Sequence, residues 1–385
     1  MTGLFVISSF IFLVSWGEVN PFLPLFIQNE LHANATITNW VMSLCVVLPY
    51  LVGLLLAPFW ARLADKHGAK PWLLRSGWGS VLVLLLMSIV QNPYELVILK
   101  LLQGLFVGFI SIANSVLIQL SPRAKIGQTV GLMGTVTSLA MIAAPLIGGF
   151  LIPLMSFRLT LVFSAAILLI ICIILQRRLP NTKAAPIKHS SGKAPISLPL
   201  VLLLITALLV EVTSNATTPY IALVVRQINA STGDFLIGCA VAVTGLFSLL
   251  TAKALGIIAN RWPAAITLLG ATVLGICGFT IAAFVGTVAL FIVSQGIVGI
   301  SNAGVSPSIQ NQLTQHTDHE HISQTFSLIQ KFQTVGIVIG PFIGALLNIR
   351  GGYRMLFSWA AGSYAVVILL IIMHSFAARN GKIKA

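Results

Sequence analysis

The chain has 385 residues, of which 57% are hydrophobic and only 8% charged. Soluble domains carry about 25% charged residues, so this composition cannot cover a water-facing surface, and a soluble enzyme or nucleic-acid-binding module is excluded. The formal net charge of +14 points instead to the basic cytoplasmic loops of a polytopic membrane protein.

Apolar segments of roughly 20 residues, the length that crosses about 30 Å of hydrocarbon, follow one another along the whole chain. In order they occupy residues 4–26, 38–58, 72–91, 95–119, 127–153, 157–176, 198–224, 233–255, 264–284, 288–311, 323–347 and 353–376. Twelve transmembrane helices are expected, hence an all-α membrane protein. The first run opens at Gly3 without a charged leader and reads as a retained helix rather than a signal peptide. Cys45, Cys172, Cys239 and Cys277 all fall inside apolar runs, with no metal-binding spacing, so neither a disulfide nor a metal site is expected.

The longest polar interval, 177–197, holds Arg177, Arg178, Lys183, Lys188 and Lys193 among prolines and reads as a cytoplasmic linker. It separates a six-helix half, 1–176, from a second half, 198–385. With both termini cytoplasmic, the inside loops collect Arg62, Lys66, Lys70, Arg75, Arg123, Lys125 and Arg261, and the outside loops only Arg158, Arg226, Arg350 and Arg354. The halves repeat at an offset of about 195 residues. Asp65-Lys66 falls on Asn260-Arg261, Gln103-Gly104 on Gln295-Gly296, Pro145 on Pro341 and Pro21 on Pro219. Two parallel six-helix repeats are the plan of a transporter with a central site.

The segment Ala61–Pro71, ARLADKHGAKP, resembles the loop signature G-x-L-A-D-R-x-G-R-K of the major facilitator superfamily. Lys100–Gly104, KLLQG, resembles the R-x-x-Q-G signature of its fourth span, and Ala140–Gly149, AMIAAPLIGG, the G-x-x-x-G-P-x-x-G-G signature of its drug:proton antiporter branch. Within that branch the chain is similar to bacterial twelve-helix multidrug exporters. The resemblance implies a conformational latch at Asp65, Lys66, Gly68 and Lys70, and packing motifs at Gln103, Gly104, Pro145, Gly148 and Gly149. Lys100 stands where the family has an arginine, and a lysine is a point charge rather than a fork.

The span-five glycines and small residues Gly131, Gly134, Ser138, Pro145 and Gly148 share one helix face, which lets backbones approach closely. Span four carries Lys100, Gly104, Gly108, Ser111 and Ser115 in one stripe with Gln103 and Asn114 beside it, and span ten carries Gln295, Gly299, Asn302, Ser306 and Gln310 in the same rhythm. Polar stripes inside membrane helices face a cavity or the bundle interior. Asn20, Asn114, Asn215, Asn302 and Gln310 are the expected polar groups of an otherwise apolar substrate cavity.

Ionisable groups within spans are costly, by roughly 2.5–3.5 kcal/mol on insertion scales. Glu18 lies in span one, Lys100 in span four, Glu211 in span seven and Lys331 in span eleven. Desolvation disfavours the charged form of a carboxyl, which suits a group that takes up and releases a proton during transport. Glu18 is the first candidate for proton coupling, with Lys100 beside it and Glu211 a candidate for coupling or for binding a cationic substrate, and the competing readings are a Glu18–Lys100 ion pair and a Glu211 hydrogen-bonded to Ser214 or Asn215. His316, His319 and His321 with Asp318 and Glu320 read as a solvated loop rather than a metal site. No P-loop, HExxH or Ser/His/Asp arrangement is present, so no cofactor and no enzymatic activity are expected. The expected function is proton-coupled efflux of hydrophobic or cationic small molecules by a monomer in the cell membrane, with bilayer, substrate and protons as its partners. The alternatives are the same fold carrying one defined metabolite, sugar or lipid-linked glycan, and, from another class, a membrane-embedded enzyme or a passive channel.

Overall fold

The computed structural model describes residues 2–121, 126–179, 197–315 and 322–382. All regular structure among them is helical. In chain order the helices are α1 (Thr2–Gly17), α2 (Leu23–Asn29), α3 (Ala35–His67), α4 (Ala69–Ser88), α5 (Pro93–Leu105), α6 (Phe109–Leu120) and α7 (Ile126–Met155). Then come α8 (Phe157–Arg178), α9 (Leu198–Thr217), α10 (Ile221–Ile228), α11 (Asp234–Arg261), α12 (Ala264–Phe284), α13 (Val288–Gln315) and α14 (Ile322–Lys382).

Ten helical segments among the described residues are long and apolar enough to cross a membrane. The first expected span is one of them, Gly3–Asn29, and it joins α1 to α2 through a 3-10 turn at Asn20–Phe22. Pro21 sets that turn, because a proline has no N–H to continue the ladder. The same device recurs at Thr218–Tyr220, where Pro219 links α9 to α10. The expected fourth span, 95–119, is not one continuous helix. Gly108 adopts φ of 126°, a left-handed value that glycine tolerates, and divides the segment into α5 and α6. The stripe expected to run from Lys100 to Ser115 is therefore interrupted. Helix α14 has 61 residues, about 90 Å at 1.5 Å per residue, three times what one crossing needs. Gly352, with φ of 64°, divides it.

Local sequence fixes several helix starts. Asn92 caps α5 by accepting from Tyr94 N at 3.1 Å and Glu95 N at 3.0 Å, with Pro93 opening the helix. Glu95 reaches back to Gln91 N at 2.9 Å and Asn92 Nδ2 at 2.6 Å, a reciprocal cap. Ser156 and Ser197 cap α8 and α9 through Leu159 N and Leu200 N.

The chain divides into two compact units. The first comprises residues 1–188 with 233–242, the opening turns of α11. Within it α1 packs on α7, α3 on α5 and α4 on α8. Its core includes Phe5, Leu73, Phe109, Leu117, Ile171 and Leu175, with Phe12 stacked on Phe109 at 4.3 Å. The break at Gly108 is seated here: the Phe106 ring fills the space beside Gly79 of α4, and Val107 lies against Gly53 of α3. The second unit comprises residues 189–232 and 243–385, in which α9 packs on α14 and α12 on α13 and α14. Large apolar side chains such as Leu55, Ile89, Met141, Leu250 and Phe284 are exposed, as a surface in contact with lipid requires.

Candidate functional site

In the first unit the polar groups gather where α1 ends. Glu18 follows α1 directly and is 3% exposed. Its Oε1 is met by the hydroxyl of Ser164 from α8, and Ser164 Oγ also lies 2.9 Å from the Thr160 carbonyl. Glu18 N donates to Val14 O at 2.9 Å, continuing the helical ladder up to the turn at Pro21.

Lys100, on α5, is equally buried and faces the same turn. Its Nζ donates to Asn20 Oδ1 at 3.1 Å and lies 5.1 Å from the centroid of the Trp16 ring. An ammonium over an indole face gains roughly 0.5–2 kcal/mol. Lys100 is thus engaged by an amide and an aromatic ring, not by Glu18. An ion pair does form between Arg158 and Glu30, at 2.9 Å, and it is half-exposed. Asn20, expected to face substrate, is the acceptor that orients Lys100.

The span-five motif is divided in its behaviour. A Cβ added at Gly148 would overlap the Glu18 carbonyl, and one at Gly149 would sit 2.7 Å from Asp234 O at the start of α11. Gly238, one turn on, lies against the Pro145 carbonyl. These are backbone-to-backbone approaches that only glycine allows. Gly131 and Gly134, on the same expected face, have open space beside them. In the span-four motif Gly104 presses on Val52 and Pro49 of α3, while Gln103 Oε1 and Asn114 Oδ1 are buried without a hydrogen-bond partner. Gly68 adopts φ of 88° where α3 gives way to α4, and Lys70 is half-buried in the first turn of α4. Asp65 and Lys66 close α3, and their side chains lie outside the described residues.

In the second unit Glu211 of α9 is half-buried, and its Oε1 accepts from Asn215 Nδ2 at 3.1 Å. Asn215 therefore braces the acid from one turn away on the same helix. Gly336, Gly340 and Gly344 of α14 form a groove that admits α9: added Cβ atoms would sit 2.7 Å from Glu211 Cβ and 2.9 Å from Asn215 Cβ at the first two, and against the Ala216 carbonyl at the third. On α13 Asn302 is half-buried and Gln310 exposed. Lys331 is exposed. An apolar crevice of about 430 Å³ between α3 and α5, lined by Trp40, Leu44, Tyr94 and Ile98 among others, includes none of the expected polar cavity residues.

Ser164 and Trp16 were not singled out by sequence, since a lone serine or tryptophan within an apolar run carries no signal of its partner. Gly336 was legible in principle, as the first member of a glycine series spaced by four. No group of three or more His, Cys, Asp or Glu able to hold a metal is found among the described residues, and the cluster at 316–321 lies outside them.

The family model described as Major Facilitator Superfamily matches residues 5–285 and 203–383. The chain belongs to that superfamily. It is a multi-pass membrane transporter and not an enzyme. It is 30% identical over 358 residues to the multidrug resistance protein MdtG of Salmonella paratyphi A and of Salmonella newport, covering 90% of this chain and 88% of theirs. Among solved structures, the peptide transporter POT superposes with a TM-score of 0.78 at 12% identity over 98% of this chain and 95% of that one. The nucleoside transporter NupG gives 0.76 at 14% identity, over 97% and 99%. The human organic anion transporter MFSD10 gives 0.65 at 15%, over 96% and 98%. These structures share the fold.

Proposed function

We propose that this transporter exports hydrophobic or cationic small molecules in exchange for protons by alternating access, with Glu18 as the first coupling carboxyl and Glu211 as the second. The observation that carries the reading is the surroundings of Glu18. It is a buried carboxyl met by a neutral hydroxyl, while the buried cation Lys100 is engaged by Asn20 and Trp16. A carboxyl tied to a fixed cation holds its charge, whereas one met by a hydroxyl exchanges a proton without breaking an ion pair. The likeness to proteins named for multidrug resistance supports the substrate class.

The reading includes twelve spans in two six-helix halves, 1–176 and 198–385, joined by the linker 177–197. Ten apolar helices, the division of α14 at Gly352 and the pairing of α5 with α6 as one crossing support that count. The basic inside loops support both termini on the cytoplasmic side of the cell membrane, and the protein is read as a monomer. Asp65, Lys66, Gly68 and Lys70 serve as the latch between conformations. Asn114, Asn215, Asn302 and Gln310 supply polar contacts to substrate, with Asn20 acting through Lys100.

The test is uptake of a fluorescent lipophilic cation by energised inverted vesicles, with and without a protonophore. Uptake is expected to collapse with the protonophore and in Glu18→Gln, and to fall in Glu211→Gln. Full proton-driven uptake by both variants would remove the coupling assignment.

A further inference from the structure

Where α3 gives way to α4, three side chains form a cluster that the transport reading does not use. The Arg75 guanidinium carbon lies 3.6 Å from the centroid of the Trp60 ring and 5.4 Å from that of Trp72. The two indoles are themselves 5.3 Å apart. Arg75 Nε, Nη1 and Nη2 and both indole nitrogens are buried, and none has a hydrogen-bond partner. An unpaired buried donor carries its full desolvation cost, more so when it is charged. Here five nitrogens are in that state within one cluster. Neighbours among the described residues supply no acceptor, which leaves the cluster open to a group from outside the chain.

Its position says what that group is. The apolar run 38–58 ends two residues before Trp60, or about 3 Å along α3, and the basic residues Arg62 and Lys66 follow it in sequence. The cluster therefore lies at the depth where membrane tryptophans meet lipid headgroups. Phe59, beside Trp60 at 4.8 Å, is exposed on the same stretch. Lys70 adds a second cation about 7.5 Å along α4 from Arg75. A guanidinium stacked on a ring keeps its in-plane N–H fork free for a planar or tetrahedral anion. A phosphate presents two charged oxygens to such a fork.

We propose that Trp60, Trp72 and Arg75 bind the phosphodiester of an anionic phospholipid headgroup at the membrane boundary of α3 and α4. Arg75 is only half-buried as a residue, so rotation of its own side-chain torsions brings the fork to the headgroup. The phosphate accepts from the guanidinium and from the indole N–H groups, and the acyl chains continue along the exposed apolar face at Phe59. This site does not depend on the proton-coupling reading.

The experiment uses the full chain in dodecyl maltoside, read by thermal unfolding, with dihexanoyl phosphatidylglycerol, dihexanoyl phosphatidylcholine or inorganic phosphate added. Phosphatidylglycerol is expected to raise the unfolding temperature at lower concentration than phosphatidylcholine, and inorganic phosphate to leave it unchanged. Arg75→Gln should raise the half-effective lipid concentration about tenfold or more. Arg75→Lys should recover part of the loss, and Trp60→Phe and Trp72→Phe, which keep a ring and remove the N–H, should shift it less. Should Arg75→Gln fail to elute as a single species, Arg75→Lys and Trp72→Phe carry the comparison. An unchanged lipid response in the Arg75 variants overturns the proposal. So does inorganic phosphate reproducing the whole shift, which would mark a free-anion site.

Discussion

Removing the Asn20 carboxamide should unsettle Lys100 in a measurable and separable way. Asn20 Oδ1 accepts from Lys100 Nζ at 3.1 Å, and the lysine is 3% exposed, so water cannot replace the lost acceptor. A hydrogen bond to a charged group contributes about 1.5–3 kcal/mol. Asn20→Ala leaves the ammonium with the Trp16 ring alone, and Lys100→Met leaves the amide oxygen without its donor. Each single change should therefore destabilise. The double variant leaves neither group stranded, so its loss should fall short of the sum by about 1.5–3 kcal/mol. At roughly 2–4 °C per kcal/mol for a unit of 150–250 residues, that coupling is roughly 3–12 °C in unfolding temperature. The assay is thermal unfolding of the four proteins of the cycle in one detergent. Additivity within the scatter of the measurement would show that Lys100 does not rest on Asn20, and would refute the geometry from which its isolation from Glu18 was argued.

Two further outcomes distinguish close packing from mere composition, and buried from exposed charge. Gly148→Ala should cost about 1–3 kcal/mol through overlap with the Glu18 carbonyl, and lower uptake per molecule. Gly131→Ala, with open space beside it, should be neutral or stabilise by up to about 1 kcal/mol, so equal penalties in thermal unfolding would contradict the division of the motif. Glu30→Gln should cost no more than about 1 kcal/mol, because its pair with Arg158 is half-exposed. Arg158→Ala should cost more, since it also removes a bond to the Ser88 carbonyl at 2.9 Å, near the end of α4, and a contact with the Phe26 ring at 5.3 Å. Comparable unfolding temperatures for the two would remove that distinction.

Much of the fold is written locally. Apolar runs gave the helices, Pro21 and Pro219 gave the paired 3-10 turns, and the boundary between 347 and 353 already enclosed Gly352. The break at Gly108 was not legible, because a glycine in a stripe of small residues serves packing and a left-handed turn equally well. The surroundings of Glu18 and Lys100 were hidden for a different reason. Helix rotation decides whether a residue three positions from a proline meets a lysine or a serine, and Ser164 is 146 residues away in sequence. The contrast between Gly148 and Gly131 depends on where a neighbouring helix crosses, which no single-helix periodicity encodes. The Trp60–Trp72–Arg75 cluster is not legible in sequence, because an arginine at the edge of a span carries a topology signal that hides its stacking partners.

The seat beneath the Gly108 break also bears on how the protein is made. At 1.5 Å per residue α5 and α6 are about 20 and 18 Å long, so neither reaches across about 30 Å of hydrocarbon by itself. The backbone between them would meet lipid with unpaired groups unless protein covers it. That cover is the pair of glycine notches on α3 and α4, which leave the ribosome first. Residues 93–120 should then settle in the bilayer only as cargo delivered to an earlier hairpin. Truncated chains in a glycosylation-reporter insertion assay would register this order: residues 35–120 spanning, and residues 93–120 alone slipping through.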